Sequence, residues 1–321
     1  EKNSPAVVNI RSTIRATAGG AQRGPGPQAM PGTPFDEFFR RFFEGMPRGQ
    51  GPGGEAVGQG SGFIISPEGH VVTNNHVIDK ATEITVITNE GESYVATLVG
   101  ADPKTDLALL KIDADEKLPH LRFGDSDAAR AGAWVLAIGN PFGLGGSATA
   151  GIISARGRDL QAGPYDDFIQ IDAPINRGNS GGPVFNTDGE VIGVNTMIYS
   201  PNGGNVGIGI ALPSSLVGGI VDDLREYGQV ERGWLGVQIQ CVSEEIAESL
   251  GLGRDAGALI ARVEPGSPAD EAGLRAGDVV LDYDGKEIDT VRDLTRMVAD
   301  TRAERSVELG VWRDGERTER D

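Results

Sequence analysis

The sequence has little of several features, and each shortage excludes a class of protein. Its 321 residues include a single cysteine, Cys241, so no intrachain disulfide can form. No stretch reaches the roughly 20 consecutive apolar residues of a membrane-spanning helix, which predicts that no segment crosses a membrane. Only three histidines are present, and they lack the spacing of a metal site, so we expect neither a metal nor a cofactor.

Positive charge is also scarce. Lys and Arg number 29 against 47 Asp and Glu, which gives a net charge of −18. Such a surface repels nucleic acid and anionic membranes, so neither is expected as a partner. The chain begins without a basic stretch followed by an apolar one. This leaves open whether the protein is cytosolic or has lost a signal peptide.

Residues 1–228 are predicted to form one all-β domain. Between 60 and 213, short apolar runs alternate with turn signals and show no βαβ rhythm, which favours closed antiparallel barrels. Apolar residues then recur at helical spacing, which predicts a helix over 213–227 that ends the domain. Residues 229–321 are predicted to form a second domain of mixed α and β structure.

A stretch rich in glycine and proline, residues 19–60, interrupts the first domain. Such a composition cannot bury enough surface to hold one conformation, and plain disorder is one interpretation. Within it, however, residues 33–47 carry a group of aromatic side chains: Phe35, Phe38, Phe39, Phe42 and Phe43. Because each buries about 150–250 Å² when packed, we expect this segment to dock on another surface.

The second domain shows strand and helix signals of its own. Residues 234–242 are predicted to form a strand, which would place the thiol of Cys241 in a packed core. Ser267 and Thr290 are predicted to cap two helices. The chain stops soon after the apolar run 306–312, so the strand that closes this domain is expected to be short or missing. Whether another domain follows is left open.

Ser180, in the run GNSGGP, has the surroundings of a nucleophile. Glycines on both sides let the backbone turn tightly and aim its N–H groups at an oxygen that becomes negative. An ordinary glycine-rich turn is the alternative explanation of this run.

A base and an orienting acid are also available. His76 follows a predicted strand and a short polar run, where an imidazole could accept a proton from a serine. Asp106 precedes a wholly apolar strand, which places its carboxylate at the edge of a core, although many aspartates before strands only form turns. His70 and His120 lack such a context and are expected to be surface residues.

The conjunction of the three motifs points to a family. His76, Asp106 and Ser180 occur in the order found in chymotrypsin-like double barrels. TNNHV, DLALLKI and GNSGGP resemble the motifs of the HtrA/Deg serine proteases, and the likeness extends over nearly the whole chain through residues 135–143, 171–177 and 204–211. The bacterial periplasmic DegP/DegQ (Do-like) group is resembled most. This implies a chymotrypsin-like fold followed by a PDZ domain, and a periplasmic location after removal of a signal peptide.

The resemblance implies roles for individual residues. Ser180 attacks the substrate, His76 acts as base and then acid, and Asp106 orients His76. The backbone around Gly178, Asn179 and Ser180 forms the oxyanion hole. Residues 156–167 resemble the family's sensor loop, with Arg158 as its contact residue. Walls of the primary substrate pocket are expected at Ile175, Thr196, Met197, Ile198, Tyr199, Ser200 and Ile208.

Pocket chemistry predicts specificity. Pro174 lies six residues before Ser180, where trypsin-like relatives hold an acidic residue. The position carries no charge here and the walls are largely apolar. We therefore expect cleavage after small or medium aliphatic residues.

The start of the second domain resembles the carboxylate-binding loop of a PDZ domain, where backbone N–H groups bind the C-terminus of a peptide and the next strand pairs with it. The residues concerned are Arg232, Gly233, Trp234, Leu235, Gly236, Val237, Gln238 and Ile239. The expected partners are therefore unfolded protein substrates and peptide C-termini. The resemblance further implies a homotrimer, with hexamers or cages as larger forms, in which the loop at 33–47 reaches a facing trimer.

The resemblance implies an ATP-independent endopeptidase of periplasmic quality control, and two other functions are compatible with the same features. A regulatory, stress-sensing protease, or a non-catalytic chaperone or peptide-binding scaffold, could use the same fold. The presence of all three catalytic residue types favours the enzyme. An α/β-hydrolase esterase is excluded, because Ser180 lacks the G-x-S-x-G pattern and the chain lacks βαβ patterning.

Overall fold

The computed structural model describes residues 3–15, 55–139, 146–160, 165–200, 204–302 and 305–320. The predicted docking segment 33–47 and parts of the motifs at 140–143 and 161–164 lie outside these residues. The chain divides into two compact units, Glu1–Val230 and Glu231–Asp321. Among the residues described, no helix is both long enough and apolar enough to cross a membrane.

The first unit begins with a closed antiparallel barrel. A 3₁₀ turn (Ser4–Ala6) leads into its first strand. The strands are β1 (Val7–Arg15), β2 (Glu55–Ile64), β3 (His70–Asn74), β4 (Glu83–Ile87), β5 (Ser93–Asp102) and β6 (Leu107–Ile112), with a single helical turn, α1 (Asn75–Ile78), after β3. They close in the order β1-β2-β3-β6-β5-β4. Alternate residues of each strand point inward, and Ile10, Ile64, Val71, Val86 and Leu110 fill the interior.

A second closed barrel and a helix complete this unit. The strands are β7 (Trp134–Gly139), β8 (Ser147–Arg158), β9 (Phe168–Ile171), β10 (Pro183–Phe185), β11 (Val191–Ile198) and β12 (Gly209–Pro213), closed in the order β10-β11-β12-β9-β8-β7. Helix α2 (Ser214–Tyr227) follows. It buries Val217, Ile220, Val221 and Leu224, and it ends where Gly228 adopts a φ of 73° and donates to the Leu224 carbonyl. The predicted helix over 213–227 is therefore confirmed.

One hydrophobic cluster joins the barrels and α2. Phe63 and Leu109 from the first barrel, Phe185 and Met197 from the second, and Leu224 of the helix all belong to it and are almost fully buried. Each such side chain contributes roughly 1.5–3 kcal/mol when buried. This cluster fixes the two barrels against each other, so the loops at their shared cleft have defined positions.

The second unit is a twisted sheet with three helices among its described residues. Its elements are β13 (Val237–Cys241), α3 (Glu244–Leu250), β14 (Ala258–Val263), α4 (Pro268–Glu271), β15 (Val279–Tyr283), β16 (Lys286–Glu287), α5 (Val291–Asp300), β17 (Leu309–Arg313) and β18 (Glu316–Arg320). The sheet order is β13-β14-β15-β17-β18, with β16 on β15. The predicted fold class, an all-β double barrel followed by an α+β domain, is confirmed.

Both predicted helix caps are confirmed. The Ser267 side chain accepts a hydrogen bond from Asp270 N at the start of α4. Thr290 and Asp293 form a reciprocal capping box at the start of α5, where each side chain bonds the other residue's backbone N–H.

Two expectations for this unit need correction. The strand predicted from 234 begins only at Val237, because Gly236 has a φ of 80°, which no extended strand adopts. Cys241 is exposed rather than buried, since it ends a strand at the edge of the sheet, where neighbours lie on one side only. The last strand of the described residues, β18, is short and pairs with β17 along all five of its residues.

Candidate active site

The loop that carries Ser180 lies between β9 and β10 and is held by a serine of the other barrel. Ser61 N donates to the Ser180 carbonyl over 2.8 Å, and Ser61 Oγ donates to the Gly178 carbonyl over 2.6 Å. Gly181 has a φ of 84°, and a Cβ there would lie 2.2 Å from the Ser61 carbonyl oxygen. Only glycine fits at that position, so the run of glycines around Ser180 has a steric cause.

His76 and Asp106 meet because their strands pair. His76 lies in α1 directly after β3, Asp106 directly precedes β6, and β3 pairs with β6 so that Asn74 is opposite Leu107. One carboxylate oxygen of Asp106 lies 2.7 Å from His76 Nδ1, and the other accepts His76 N over 2.9 Å. Both side chains are buried. A carboxylate in this position selects the imidazole tautomer that leaves Nε2 able to accept a proton.

Ser180 is close to this pair across a glycine of β2. A Cβ on Gly60 would lie 2.6 Å from Cγ1 of Val77, the neighbour of His76, and 3.2 Å from the Ser180 carbonyl oxygen. The Ser180 hydroxyl donates to the Thr196 carbonyl over 3.1 Å. Because a hydroxyl has one proton, Ser180 must turn that proton away from the Thr196 carbonyl before it can donate to His76. The structure therefore shows a resting arrangement of the nucleophile.

The backbone beside Ser180 offers donors for an oxyanion. The Asn179 carbonyl accepts Gly182 N over 2.9 Å, which turns the N–H of Ser180, in the same peptide plane, to the opposite side. Neither Gly178 N nor Ser180 N donates to a backbone carbonyl among the described residues, whereas Asn179 N is used by the Asn176 carbonyl. The N–H groups of Gly178 and Ser180 are thus available to an acceptor, and Asn179 forms the turn between them.

The predicted pocket residues separate into two groups. Ile175, Met197 and Ile198 have buried side chains that belong to hydrophobic core clusters. Tyr199, Ser200 and Ile208 are nearer the surface, and Tyr199 N donates to the Ile208 carbonyl over 3.1 Å. Thr196 contributes the carbonyl that holds Ser180. Pro174, expected at the pocket base, is exposed.

Residues 205–208 are also expected in the pocket wall, and the first of them, Asn205, joins this region. Its Nδ2 donates to the Ile175 carbonyl over 3.0 Å, and its Oδ1 accepts Gly207 N over 2.8 Å. It therefore ties the loop before β12 to the segment that leads to Ser180. An asparagine that bonds its own backbone two residues later is a common turn signal.

Comparisons with known proteins agree with this geometry. A family model of the trypsin-like peptidase domain matches residues 60–194, and a model of the PDZ domain matches residues 259–313. The chain is similar to the "Probable periplasmic serine endoprotease DegP-like" of Brucella suis biovar 1 (strain 1330), with 50% identity over 338 residues that cover 98% of this chain and 65% of that protein. The protein of the same description from Marinomonas sp. (strain MWYL1) is 50% identical, with 98% and 68% covered.

Solved structures point the same way. The "HtrA-type protease AlgW with tripeptide" is 40% identical and has a TM-score of 0.81, with 99% of this chain and 93% of that chain covered. The serine endoprotease from Yersinia pestis is 32% identical, with a TM-score of 0.67 and the same coverage. The chain belongs to the HtrA/DegP-like serine endoprotease family. It spans 65% of the length of the Brucella relative.

The family's sensor loop was expected at residues 156–167. In this HtrA/DegP-like chain Arg158 is the last residue of β8 and pairs with Phe168 of β9. Its side chain is exposed and donates to Gln170 Oε1 over 2.9 Å. Arg158 therefore lies at the base of the hairpin, while residues 161–164 lie outside the described part of the chain.

His70 and His120 lie apart from the triad. His120 is exposed, but His70 is half-buried as the first residue of β3, and its Nδ1 lies 2.8 Å from Ser66 Oγ. Burial lowers the pKa of His70 below its usual value, with Arg225 and Lys111 adding to the effect. His70 is thus a partly buried residue, contrary to the surface position that was expected.

The loop before β13 has the geometry of a carboxylate cradle. The Leu235 carbonyl accepts Ala269 N over 2.9 Å, and the Gly236 carbonyl accepts Glu264 N over 2.8 Å. Each bond turns the N–H of the next residue, Gly236 and Val237, to the opposite side of its peptide plane. A Cβ on Gly236 would lie 2.2 Å from Ser267 Cβ, and one on Gly233 would lie 2.3 Å from the Val298 carbonyl oxygen. Both glycines are therefore required.

The other predicted peptide-binding residues surround this cradle. Trp234 is 61% exposed, while Leu235, Val237 and Ile239 are half-buried against the core of the unit. Arg232 is half-buried and Gln238, which alternates with its neighbours along β13, is exposed. These residues precede the stretch 259–313 that matches the PDZ-domain model.

Proposed function

We propose that this protein is a serine endopeptidase that cleaves unfolded polypeptides. The observation that carries the proposal is the buried contact between His76 Nδ1 and Asp106, at 2.7 Å, beside a serine whose neighbours offer two backbone N–H groups. Together with the family, this arrangement supports acyl transfer through Ser180.

The reaction follows from the positions of these groups. Ser180 Oγ leaves the Thr196 carbonyl and gives its proton to Nε2 of His76 as it attacks the peptide carbonyl. The N–H groups of Gly178 and Ser180 stabilise the negative oxygen that forms. His76 then protonates the leaving amine, and a water molecule, activated in the same way, releases the acyl group from Ser180. Asp106 stays ionised and stabilises the imidazolium.

The substrate class follows from the chemistry of the pocket. The residues proposed as its walls carry no charge, and Ile208, which is half-buried, is aliphatic. Aliphatic side chains are mostly buried in folded proteins and become accessible when a protein unfolds. An uncharged pocket therefore favours unfolded chains, and this supports a role in protein quality control in the periplasm, where the relatives are described.

An apolar surface on the second barrel supports the proposed homotrimer. Along β7, Trp134 is 65% exposed and Leu136 is 38% exposed, while Val135 and Ala137 point inward. Trp134 and Leu136 border a cavity of about 370 Å³, whose lining also includes Ile138, Ala150 and Phe185. An exposed aromatic beside an apolar cavity is typical of an association surface.

Replacement of the nucleophile tests the activity. Ser180→Ala should abolish casein hydrolysis, with a loss of roughly three orders of magnitude or more, because the acyl-enzyme cannot form. A fluorophosphonate should label the native protein at Ser180 and leave the variant unlabelled. Light scattering of both proteins checks that the variant assembles normally. Full hydrolysis by Ser180→Ala would refute the assignment.

A further inference from the structure

One buried side chain joins the two barrels at the site. Asn74, the last residue of β3, is completely buried, and its Nδ2 donates to the Asp106 carbonyl over 2.8 Å. The same nitrogen donates to Thr196 Oγ1 over 3.3 Å. An amide nitrogen has two protons, so both bonds can form at once. Asp106 belongs to the first barrel and Thr196 to the second, on β11.

Both hydrogen-bond partners of Asn74, Asp106 and Thr196, contact a residue of the proposed catalytic triad. The Asp106 carboxylate holds His76, and the Thr196 carbonyl holds the hydroxyl of Ser180. The Thr196 hydroxyl donates onward to the Val194 carbonyl over 3.4 Å, which leaves its lone pairs available to accept from Asn74. The amide of Asn74 thus connects Asp106, which contacts His76, to Thr196, which contacts Ser180.

The hydrogen bond from Asn74 also holds the backbone of Asp106 in an unusual conformation. Its φ is 59°, in the left-handed region that few non-glycine residues adopt. A conformation of this kind persists only when surrounding contacts hold it. Besides Asn74, the Asp106 carbonyl accepts Asn75 N over 3.0 Å. On the opposite side, the turn is held by Asp102, which accepts Thr105 Oγ1 over 2.5 Å.

We infer that Asn74 is a positioning residue, which sets the placement of the His76–Asp106 pair relative to Ser180 by bonding both barrels. It touches neither substrate nor the reacting atoms. Its removal lets Asp106 relax and lets β11 move with respect to β3. Displacement of about 1 Å at such a site costs on the order of a hundredfold in rate. This inference rests on the proposed endopeptidase function.

The test compares two Asn74 variants with a matched control in the full chain. Asn74→Ala removes the amide, and Asn74→Asp keeps its shape but replaces the donor by an oxygen that faces the Asp106 carbonyl. Ser214→Ala is the control, because it also removes a buried hydrogen bond, from Ser214 Oγ to the Gly124 carbonyl at 2.6 Å, far from the triad in sequence and on another element. All are assayed for peptide hydrolysis, fluorophosphonate labelling and thermal unfolding.

Both Asn74 variants should lose about 10–100-fold in kcat and in labelling rate, while KM changes less than about twofold. Ser214→Ala should keep the native kcat even where its Tm falls as much as that of Asn74→Ala. The inference is overturned if folded Asn74 variants keep the native kcat and labelling rate. It is also overturned if Ser214→Ala, at the same Tm, loses as much kcat as the Asn74 variants do. An active Ser180→Ala protein would instead refute the proposed function itself.

Discussion

At the scale of single residues, Asp106 shows how backbone conformation and side-chain charge combine in the candidate active site. Asp106 combines a left-handed backbone with a carboxylate that accepts His76 N and lies 2.7 Å from His76 Nδ1. Aspartate is among the few non-glycine residues that visit this region routinely. The side chain required by the chemistry is therefore also one that the turn tolerates.

The pocket residues predict which bonds are cut. Cleavage after valine or alanine should exceed cleavage after lysine or arginine by at least about tenfold in kcat/KM, because the wall residues offer no charge to pair with a basic side chain. The measurement is a cleavage map of unfolded casein by mass spectrometry, with Ser180→Ala as the control for contaminating proteases. A map dominated by lysine and arginine would contradict the proposed pocket.

At the scale of elements, β13 and α5 are the proposed peptide-binding part of the second unit. Within the described residues β13 has a strand neighbour on one side only, β14, so its other edge can accept an extended peptide. Helix α5 packs beside β13, and its half-buried Val291 and Val298 continue the apolar surface of Val237 and Ile239. The N–H groups of Gly236 and Val237 lie at the start of this edge.

A free C-terminus should therefore matter for binding. A peptide that ends in an apolar residue is expected to lose about tenfold or more in affinity when its C-terminus is amidated, because hydrogen bonds to a charged acceptor contribute about 1.5–3 kcal/mol. Isothermal titration calorimetry of the acid and amide forms of one peptide measures this difference. Equal affinities would show that the Trp234–Val237 loop does not bind a carboxylate.

The spacing of residues in the sequence predicted elements that depend on local patterns. It failed for features that depend on contacts between distant parts of the chain. The helix α2 and the caps Ser267 and Thr290 follow from residue spacing and were confirmed. Helix α3 was missed, although Ser243 caps it and two glutamates occupy its first turn, because its seven residues are too short for a clear period. The exposure of Cys241 depends on β13 being an edge strand, which no local pattern shows.

The same limit applies to the site. The motifs around Ser180, His76 and Asp106 could be identified from residue types and order. The parts played by Ser61 and Asn74 could not, because each acts through hydrogen bonds to residues more than 30 positions away. Such contacts arise only when the barrels close and pack on each other. Met197 and Ile198 were predicted from the sequence to line a pocket, but their side chains lie inside the core.

At the scale of the whole molecule, the exposed face of β7 predicts how copies associate. Trp134→Ser should shift the particle from the proposed trimer toward the 33.6 kDa monomer, because the substitution removes the large exposed aromatic side chain of this face. Sedimentation velocity measures the mass. Trp234→Ser is the matched control, a tryptophan of similar exposure in the second unit, and should leave the mass unchanged. An unaltered trimer in Trp134→Ser would remove β7 from the interface.

The one thiol of the chain has a practical consequence. Cys241 is exposed and ends β13, the strand proposed to pair with peptide. Because the sequence contains no other cysteine, a maleimide dye attaches at one site per subunit without any engineering. A fluorophore there would sit five residues along the chain from Gly236, so its emission would report peptide occupancy. Energy transfer between dyes on neighbouring subunits would in turn read out how far apart these binding strands lie within one assembly.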